Sequence, residues 1–290
     1  MSRCSVVHKN KMIQKQLAVF SVLLGFNHYA FSGLEEGYDA YEQAHYTKAF
    51  SEFQTLADKR SAEAQNNLGF MYEKGIGIEQ DYTKAFKWYK KAAVRKYAQA
   101  QYNLGLMYWR GLGVEQDYFK AFEWYKKSAN KNYAKAQYNF GFMYKNGQGV
   151  KKSYKQALKW YEKAALQGYA KAQYNLGLMY KNGQGVKRNY IKTIEWYKKA
   201  ALQGHAMAQN NLGFMLENGL GIRRDYVVAT EWYEKSAIQE NSRAQNNLGL
   251  MYAGGLNMEQ NYPMAIEWFG RACDNKLQDA CDNYNQYKNY

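Results

Sequence analysis

A six-residue motif recurs along this chain at a fixed interval of 36 residues. It first reads AQNNLG, and its copies end at Gly69, Gly105, Gly141, Gly177, Gly213 and Gly249. Six of the seven Trp residues keep the same interval: Trp88, Trp124, Trp160, Trp196, Trp232 and Trp268. An interval of this length is typical of solenoid proteins, in which each unit buries its apolar face against its neighbours.

Each unit contains the pattern of two helices. Ala64, Leu68 and Met71 lie at helical spacing and predict a first helix over about residues 62–74. Gly75 follows, and glycine readily takes the left-handed conformation that ends a helix. A residue that can cap a helix opens the second helix of every unit: Asp81, Asp117, Ser153, Asn189, Asp225 and Asn261. The sequence therefore predicts an all-α solenoid of stacked antiparallel helix pairs.

The segments AQYNLGLMY and NGQGV, followed by a capping residue and a helix with Trp-Tyr and Lys-Ala-Ala, resemble the Sel1-like repeat family. That family is related to the tetratricopeptide repeats. The resemblance covers about residues 35–290 and implies a right-handed α-solenoid with the first helix of each pair on the concave side. We expect six tandem repeats over 62–272, between a degenerate helix pair at 33–61 and a C-terminal capping helix at 273–290.

The N-terminal residues have the pattern of an export signal. A positive stretch without Asp or Glu opens the chain: Arg3, Lys9, Lys11 and Lys15. An apolar run follows at 17–26, and small residues near Ser32 predict cleavage there, between Ser32 and Gly33. We therefore assign 1–32 to a signal peptide and expect a periplasmic or secreted protein. The alternative is an uncleaved anchor that holds the chain at a membrane, and the true start could be Met1 or Met12.

Two Cys residues follow the predicted leader. Cys273 and Cys281 resemble the Cys pairs of cysteine-rich Sel1-like proteins that some bacteria secrete, and this resemblance implies one disulfide at the C-terminal end. A zinc site is less favoured, because zinc needs three or four ligands and no His lies near this pair in sequence. We expect neither a metal nor another cofactor.

The sequence contains no catalytic motif that we could identify. After the predicted leader, His45 and His205 are the two His residues, and there is no nucleophile elbow, phosphate-binding loop or metal-binding His pair. We therefore expect that the protein is not an enzyme. Some Sel1-like relatives are described as penicillin-binding, so a weak hydrolase of cell-wall or β-lactam substrates is the enzymatic alternative.

An Asn occupies one position in every first helix, and the tetratricopeptide geometry implies that this position is concave. Such a row can bind an extended peptide backbone, while Lys side chains four residues earlier bind carboxylates. Alternatively, the Asn row bonds between adjacent helices, and the Tyr residues beside it fill the groove. The predicted peptide-binding groove comprises Asn103, Asn139, Asn175, Asn211, Lys135, Lys171, Tyr102, Tyr138 and Tyr174.

Three consecutive units carry two basic residues just before the cap of the second helix. We name these residues the basic ridge: Lys151, Lys152, Lys187, Arg188, Arg223 and Arg224. With a net charge of +15, the chain favours anionic partners. An acidic protein, an anionic membrane surface or an anionic envelope polymer would fit the ridge, which could also be ordinary solvated surface. Nucleic acid is less favoured for an exported protein.

These features favour a monomeric scaffold or adaptor that binds protein or peptide segments in its concave groove. The alternative is an envelope-associated structural protein that the basic ridge holds to polyanions. Fold alone does not decide between them, because function depends on sites that are added to a fold.

Overall fold

A computed structural model describes residues 28–256 and 259–290, which form fifteen α-helices and no strand. Most of the predicted leader, residues 1–27, lies outside the described residues, and the predicted cleavage position at Ser32 falls within the first helix. The helices are α1 His28–Glu42, α2 Tyr46–Asp58, α3 Ala62–Lys74, α4 Tyr82–Val94, α5 Ala98–Arg110, α6 Tyr118–Asn130, α7 Ala134–Asn146, α8 Tyr154–Leu166, α9 Ala170–Asn182, α10 Tyr190–Leu202, α11 Ala206–Asn218, α12 Tyr226–Ala237, α13 Ser242–Gly254, α14 Tyr262–Asp274 and α15 Gln278–Tyr287.

The chain divides into two compact units. Among the described residues, the first comprises 28–100 and 111–115, and the second comprises 101–110, 116–256 and 259–290. Within each unit, helices that follow one another in sequence pack against one another in series. The predicted all-α architecture of stacked helix pairs is therefore confirmed. The second unit contains every residue of the predicted groove and of the basic ridge.

The helix ends follow the local sequence signals. Helix α3 spans the predicted residues, and Gly75 ends it with a left-handed φ of 67°. The carboxylate of Asp81 accepts a hydrogen bond from the Lys84 N–H at 2.8 Å and so caps α4. The same bond is made at the start of the later second helices by Asp117, Ser153, Asn189, Asp225 and Asn261. The predicted caps are confirmed.

A glycine of the repeated motif allows each first helix to approach the second helix of its pair. In α3, a Cβ on Gly69 would lie 2.6 Å from the Cδ1 atom of Tyr89, which is fully buried in α4. A side chain at this position would therefore collide with the ring. Tyr rings at the equivalent position are buried in the next four second helices: Tyr125, Tyr161, Tyr197 and Tyr233. These rings form the centre of the apolar core.

The two ends of the described chain differ from the complete repeats. Helices α1 and α2 pair before the first complete repeat, and the shorter α15 packs on α14 at the C-terminal end. Cys273 and Cys281 form a disulfide between α14 and α15, with a Cα–Cα distance of 4.7 Å. Within residues 28–256 and 259–290, no helix is both long and apolar enough to span a membrane.

Candidate binding site on the first helices

The first helices of the second unit surround a cavity of about 250 Å³. Residues of α5, α6 and α7 line it, together with Lys171 near the start of α9. Six aromatic rings form its walls: Tyr102, Trp109, Tyr125, Tyr138, Phe142 and Tyr169. Besides the Tyr hydroxyls, the polar groups are the Asn139 amide and the cations of Arg110 and Lys171, and no carboxylate is among the lining residues. The cavity is therefore aromatic and positively charged.

The cavity contains four of the nine predicted groove residues: Tyr102, Tyr138, Asn139 and Lys171. The other five do not line it, and occupy equivalent or neighbouring positions of the same row of helices: Asn103, Asn175, Asn211, Lys135 and Tyr174. We name the surface that carries these positions in α5, α7, α9 and α11 the first-helix face. Its Asn and Tyr residues are half-buried, whereas Lys135 and Lys171 are exposed.

Hydrogen bonds within the protein occupy part of the Asn row. The Asn175 amide donates to the Lys171 carbonyl at 2.9 Å and to the Tyr138 hydroxyl of the preceding first helix at 3.5 Å. Further along, Asn247 in α13 donates to the Asn210 side chain in α11 at 3.1 Å. At these positions the amides connect successive first helices, so a ligand would have to compete with the protein for them.

The Tyr side chains of the first-helix face pack between other rings. The Tyr138 ring centroid lies 5.5 Å from that of the buried Tyr161 and 5.4 Å from that of Tyr169. Tyr102 packs in the same way against the rings of Tyr125 and Tyr133. Tyr174 packs against the rings of Tyr197 and His205. These contacts fix the rings before any ligand arrives. Burial also raises the pKa of Tyr138, so its hydroxyl stays neutral near pH 7.

A buried hydroxyl lies in the wall of the cavity. The Tyr125 side chain is buried, and its hydroxyl donates to no acceptor in the described part of the chain, while the Asn139 amide lies close enough to donate to it and partly offset the effect of burial on its pKa. Burial raises the pKa of this hydroxyl above its usual range, so it keeps its proton. A buried donor without an acceptor is unfavourable. Because Arg110 and Lys171 line the same cavity, an acceptor or anionic group with an apolar body fits it best.

Sequence reasoning missed the other seven lining residues of this cavity: Leu106, Trp109, Arg110, Tyr125, Phe142, Met143 and Tyr169. Trp109 is the one Trp outside the periodic position, and its Nε1 donates to the Gln148 side chain at 3.2 Å. Its ring centroid lies 6.4 Å from that of Phe142. The equivalent position in α3 holds Glu73, so a departure from the repeat pattern was the available signal.

The structure places the basic ridge away from this cavity, in the loops that precede α8, α10 and α12. All six side chains are exposed, and none forms an ion pair within the described residues. Within the same residues, no group of three or more His, Cys, Asp or Glu side chains is arranged to hold a metal ion.

Serial helix pairs with a 36-residue period and a partly open face on the first helices define a helical-repeat solenoid. The chain belongs to the Sel1 repeat family. The family model described as "Sel1 repeat" matches residues 62–93, 98–133, 134–169, 170–205, 206–241 and 242–277. The resemblance found in the sequence is thereby confirmed. Proteins of this family are generally protein-interaction scaffolds and typically non-catalytic.

Two solved structures of bacterial proteins are similar along most of this chain. A protective antigen of uropathogenic Escherichia coli with an SLR fold is 32% identical, with a TM-score of 0.79, and the match covers 88% of this chain and 56% of the antigen. A Sel1 repeat protein from Oxalobacter formigenes is 35% identical, with a TM-score of 0.75, and the match covers 83% of this chain and 96% of that protein.

A shorter similarity links the chain to a eukaryotic protein. The ERAD-associated E3 ubiquitin-protein ligase component HRD3 of Candida glabrata is 49% identical over 41 residues. That segment is 14% of this chain and 5% of HRD3, so the chain spans only a small part of the length of this relative.

Proposed function

We propose that this protein is a non-catalytic scaffold that binds a segment of another protein on its first-helix face, with the aromatic cavity as the anchor point. The observation that carries this proposal is the cavity itself. Its volume of about 250 Å³ is below the range of about 300–1,000 Å³ that is usual for drug-sized ligands. A space of this size suits one large side chain of a partner, and aromatic residues and Arg are enriched where such anchors bind.

The polar groups of the cavity favour an acidic or acceptor-rich segment. The Tyr125 hydroxyl donates to no acceptor within the described residues, and Arg110 and Lys171 supply positive charge with no carboxylate among the lining residues. An apolar side chain next to a carboxylate would fill the cavity and satisfy these groups together. The neighbouring Asn175 and Asn211, with Lys135, would then contact the backbone and side chains of the same segment.

We further propose that the chain is monomeric and acts outside the cytoplasm, in the periplasm or after secretion. The positive and apolar segments of residues 1–32 support export, and the disulfide between Cys273 and Cys281 is typical of oxidising compartments. The similarity to HRD3, a ligase component, supports protein binding as the general role.

The test is to select binding peptides from a random library on the purified chain and to measure their affinity for three variants. Lys171→Glu and Phe142→Ala alter the cavity, and each should weaken the selected peptides at least about tenfold, since losing a well-placed anchor typically costs more than 1 kcal/mol. Lys159→Glu is the matched control, because Lys159 is exposed outside the cavity and other repeats carry Glu at that position. Equal affinities for all three variants would contradict the proposal.

A further inference from the structure

The basic ridge is a separate feature of the second unit with no role in the cavity. Its six side chains are exposed and form no ion pair within the described residues. The second residue of each pair extends over a nearby ring. The Lys152 ammonium lies 4.9 Å from the Tyr154 ring centroid, and the Arg188 guanidinium lies 5.5 Å from that of Tyr190. These contacts hold the charges against the start of the second helices.

The three loops of the ridge lie next to one another. A Cβ on Gly185 would come within 2.6 Å of the Tyr154 carbonyl, so the loop of the second pair packs on the start of α8. In the same way, Gly221 in the loop of the third pair lies against Tyr190 at the start of α10. The loop that carries the second basic pair therefore contacts the start of α8, which follows the first pair. The loop that carries the third pair contacts the start of α10, which follows the second pair. The cations form one row, with about 10 Å between pairs if they follow the usual spacing of packed helices.

The basic pairs are not required for the fold of these loops. In the other three complete repeats the same two positions hold Glu and Gln. There the Gln side chain donates to the backbone carbonyl at the end of the first helix of the repeat. Gln80 makes this bond to Glu73 at 2.7 Å, and Gln260 makes it to Ala253 at 2.7 Å. Lys152, Arg188 and Arg224 make no such bond. Three consecutive repeats thus lack this Gln-to-backbone hydrogen bond and carry positive charge at the same positions instead.

The local helix ends add to this positive potential. The pairs directly precede the N-termini of α8, α10 and α12, where the helix dipole carries partial positive charge. Two of these helices have neutral caps, Ser153 and Asn189, whereas the caps before α4 and α6 are Asp81 and Asp117. The positive electrostatic potential of the first two basic pairs is therefore not offset by an acidic cap, whereas Asp225 follows the third pair.

Aliphatic side chains project beside these cations. Ile191 is 63% exposed, Val227 is 49% exposed, and Ile222 is 38% exposed in the loop that carries the third pair. Ile191 and Val227 are each the second residue of their helix, three residues after Arg188 and Arg224 respectively. A soluble polyanion would need only the charges. Exposed aliphatic groups within a basic row match an anionic bilayer, where the cations meet headgroup phosphates and the aliphatic groups enter the interface.

We propose that this edge of the second unit docks on an anionic lipid surface. The surface is independent of the cavity, so membrane binding and peptide binding can fail separately. The test is a vesicle flotation assay with the full chain, using phosphatidylglycerol mixed with phosphatidylcholine, and phosphatidylcholine alone. We expect binding to the anionic vesicles only, and a steep loss of binding with added salt, since salt screens exposed charges.

The charge variant is Lys151→Glu, Lys152→Gln, Lys187→Glu and Arg188→Gln together, which installs the pair that other repeats already carry at this position. The control is Lys87→Glu, Lys159→Glu and Lys198→Glu, which produces the same change in net charge at exposed positions where other repeats hold Glu. We expect the ridge variant to bind anionic vesicles at least about tenfold more weakly and the control to change by less than about threefold. Equal losses in the two would overturn the proposal.

A second pair of variants separates a bilayer from a soluble polyanion. Ile191→Ser with Val227→Ser removes the aliphatic groups beside the ridge. Leu202→Ser with Ile238→Ser removes more exposed ones, at the last residue of α10 and at the C-cap of α12. Only the first pair should reduce vesicle binding, and neither should alter binding of free polyphosphate. Unchanged vesicle binding by the first pair, or binding of polyphosphate without any binding of vesicles, would overturn the bilayer proposal.

Discussion

The hydroxyl of Tyr89 donates a hydrogen bond of 2.8 Å to the carboxylate of Glu73 inside the first unit. At the equivalent position of α8 the Tyr161 hydroxyl is also buried, but it has no hydrogen-bond partner within the described residues. The same ring position thus carries a satisfied polar group in one repeat and an unsatisfied group in another. The repeats therefore differ in polar contacts that their shared apolar pattern does not reveal.

Removing each hydroxyl should have opposite consequences for stability. Tyr89→Phe deletes a hydrogen bond to a charged acceptor and should lower the free energy of unfolding by about 1.5–3 kcal/mol. Tyr161→Phe deletes a buried donor that has no acceptor, and should leave stability unchanged or raise it by about 1 kcal/mol. Urea unfolding of the two variants measures the difference. Equal destabilisation of both would show that Tyr161 has a partner, such as an internal water.

The glycine of the repeated motif should not tolerate a methyl group. In α9 a Cβ on Gly177 would lie 2.6 Å from the Cδ1 atom of the buried Tyr197, so Gly177→Ala should destabilise the protein by about 1–3 kcal/mol. Gly270 in α14 is the control, because a Cβ there would meet Tyr284 at an ordinary 3.6 Å. Gly270→Ala should be neutral or stabilise by up to about 1 kcal/mol through helix propensity. Thermal denaturation of both variants tests this, and a stabilising Gly177→Ala would contradict the packing described.

The disulfide should stabilise the C-terminal end more than the rest of the solenoid. Cys273 and Cys281 close a loop with a sequence separation of 8, and such a closure is worth about 2–3 kcal/mol in the chain-entropy model. Each unit of a repeat protein contacts mainly its neighbours, so reduction should increase amide hydrogen exchange in α15 and the end of α14. Exchange in α3 should not change. A uniform increase along the chain would contradict this local role.

His205 should make stability depend on pH. Its Nδ1 accepts a hydrogen bond from the Ala208 N–H at 3.3 Å and caps α11. Burial, with the positive charge of Lys171 adding to it, lowers the pKa of His205 below its ordinary value of 6.5. The folded protein therefore resists protonation of His205. The contribution of the neutral His205 cap to the free energy of unfolding is complete above pH 6.5 and is lost as the pH falls through the lowered pKa.

His205→Asn should remove this dependence, since Asn241 caps α13 through the same kind of bond. Between about pH 7.5 and about pH 5, the parent chain should lose on the order of 1 kcal/mol more stability than the variant. Urea unfolding at the two pH values provides the comparison. Identical losses in both proteins would mean that the His205 cap does not contribute to folding.

Most of the fold could be predicted from the sequence because its signals are local and repeated. Capping residues such as Asp81 and helix-ending glycines such as Gly75 act within a few residues, and the structure confirms both. Handedness and concavity, by contrast, came only from the family resemblance, because they depend on small rotations between units that local patterns do not encode.

The candidate site was only partly predictable. Tyr138 and Lys171 were found because they occupy regular register positions, and both line the cavity. Trp109 and Arg110 were missed because they depart from the repeat and meet the other residues only when neighbouring helices stack. The sequence does not decide whether Asn175 bonds to the protein or to a ligand, because a half-buried amide can do either.

The most direct test of the central claim is site-specific photocrosslinking on the first-helix face. A photoreactive phenylalanine analogue would replace Phe142, which lines the cavity, or Phe119, which is 73% exposed at the start of α6 and does not line it. Each protein would be irradiated with the tightest peptide selected on the unmodified chain. We predict that position 142 forms the crosslink and that Lys171→Glu in the same protein abolishes it. Crosslinking at position 119 but not at position 142 would contradict binding at the cavity.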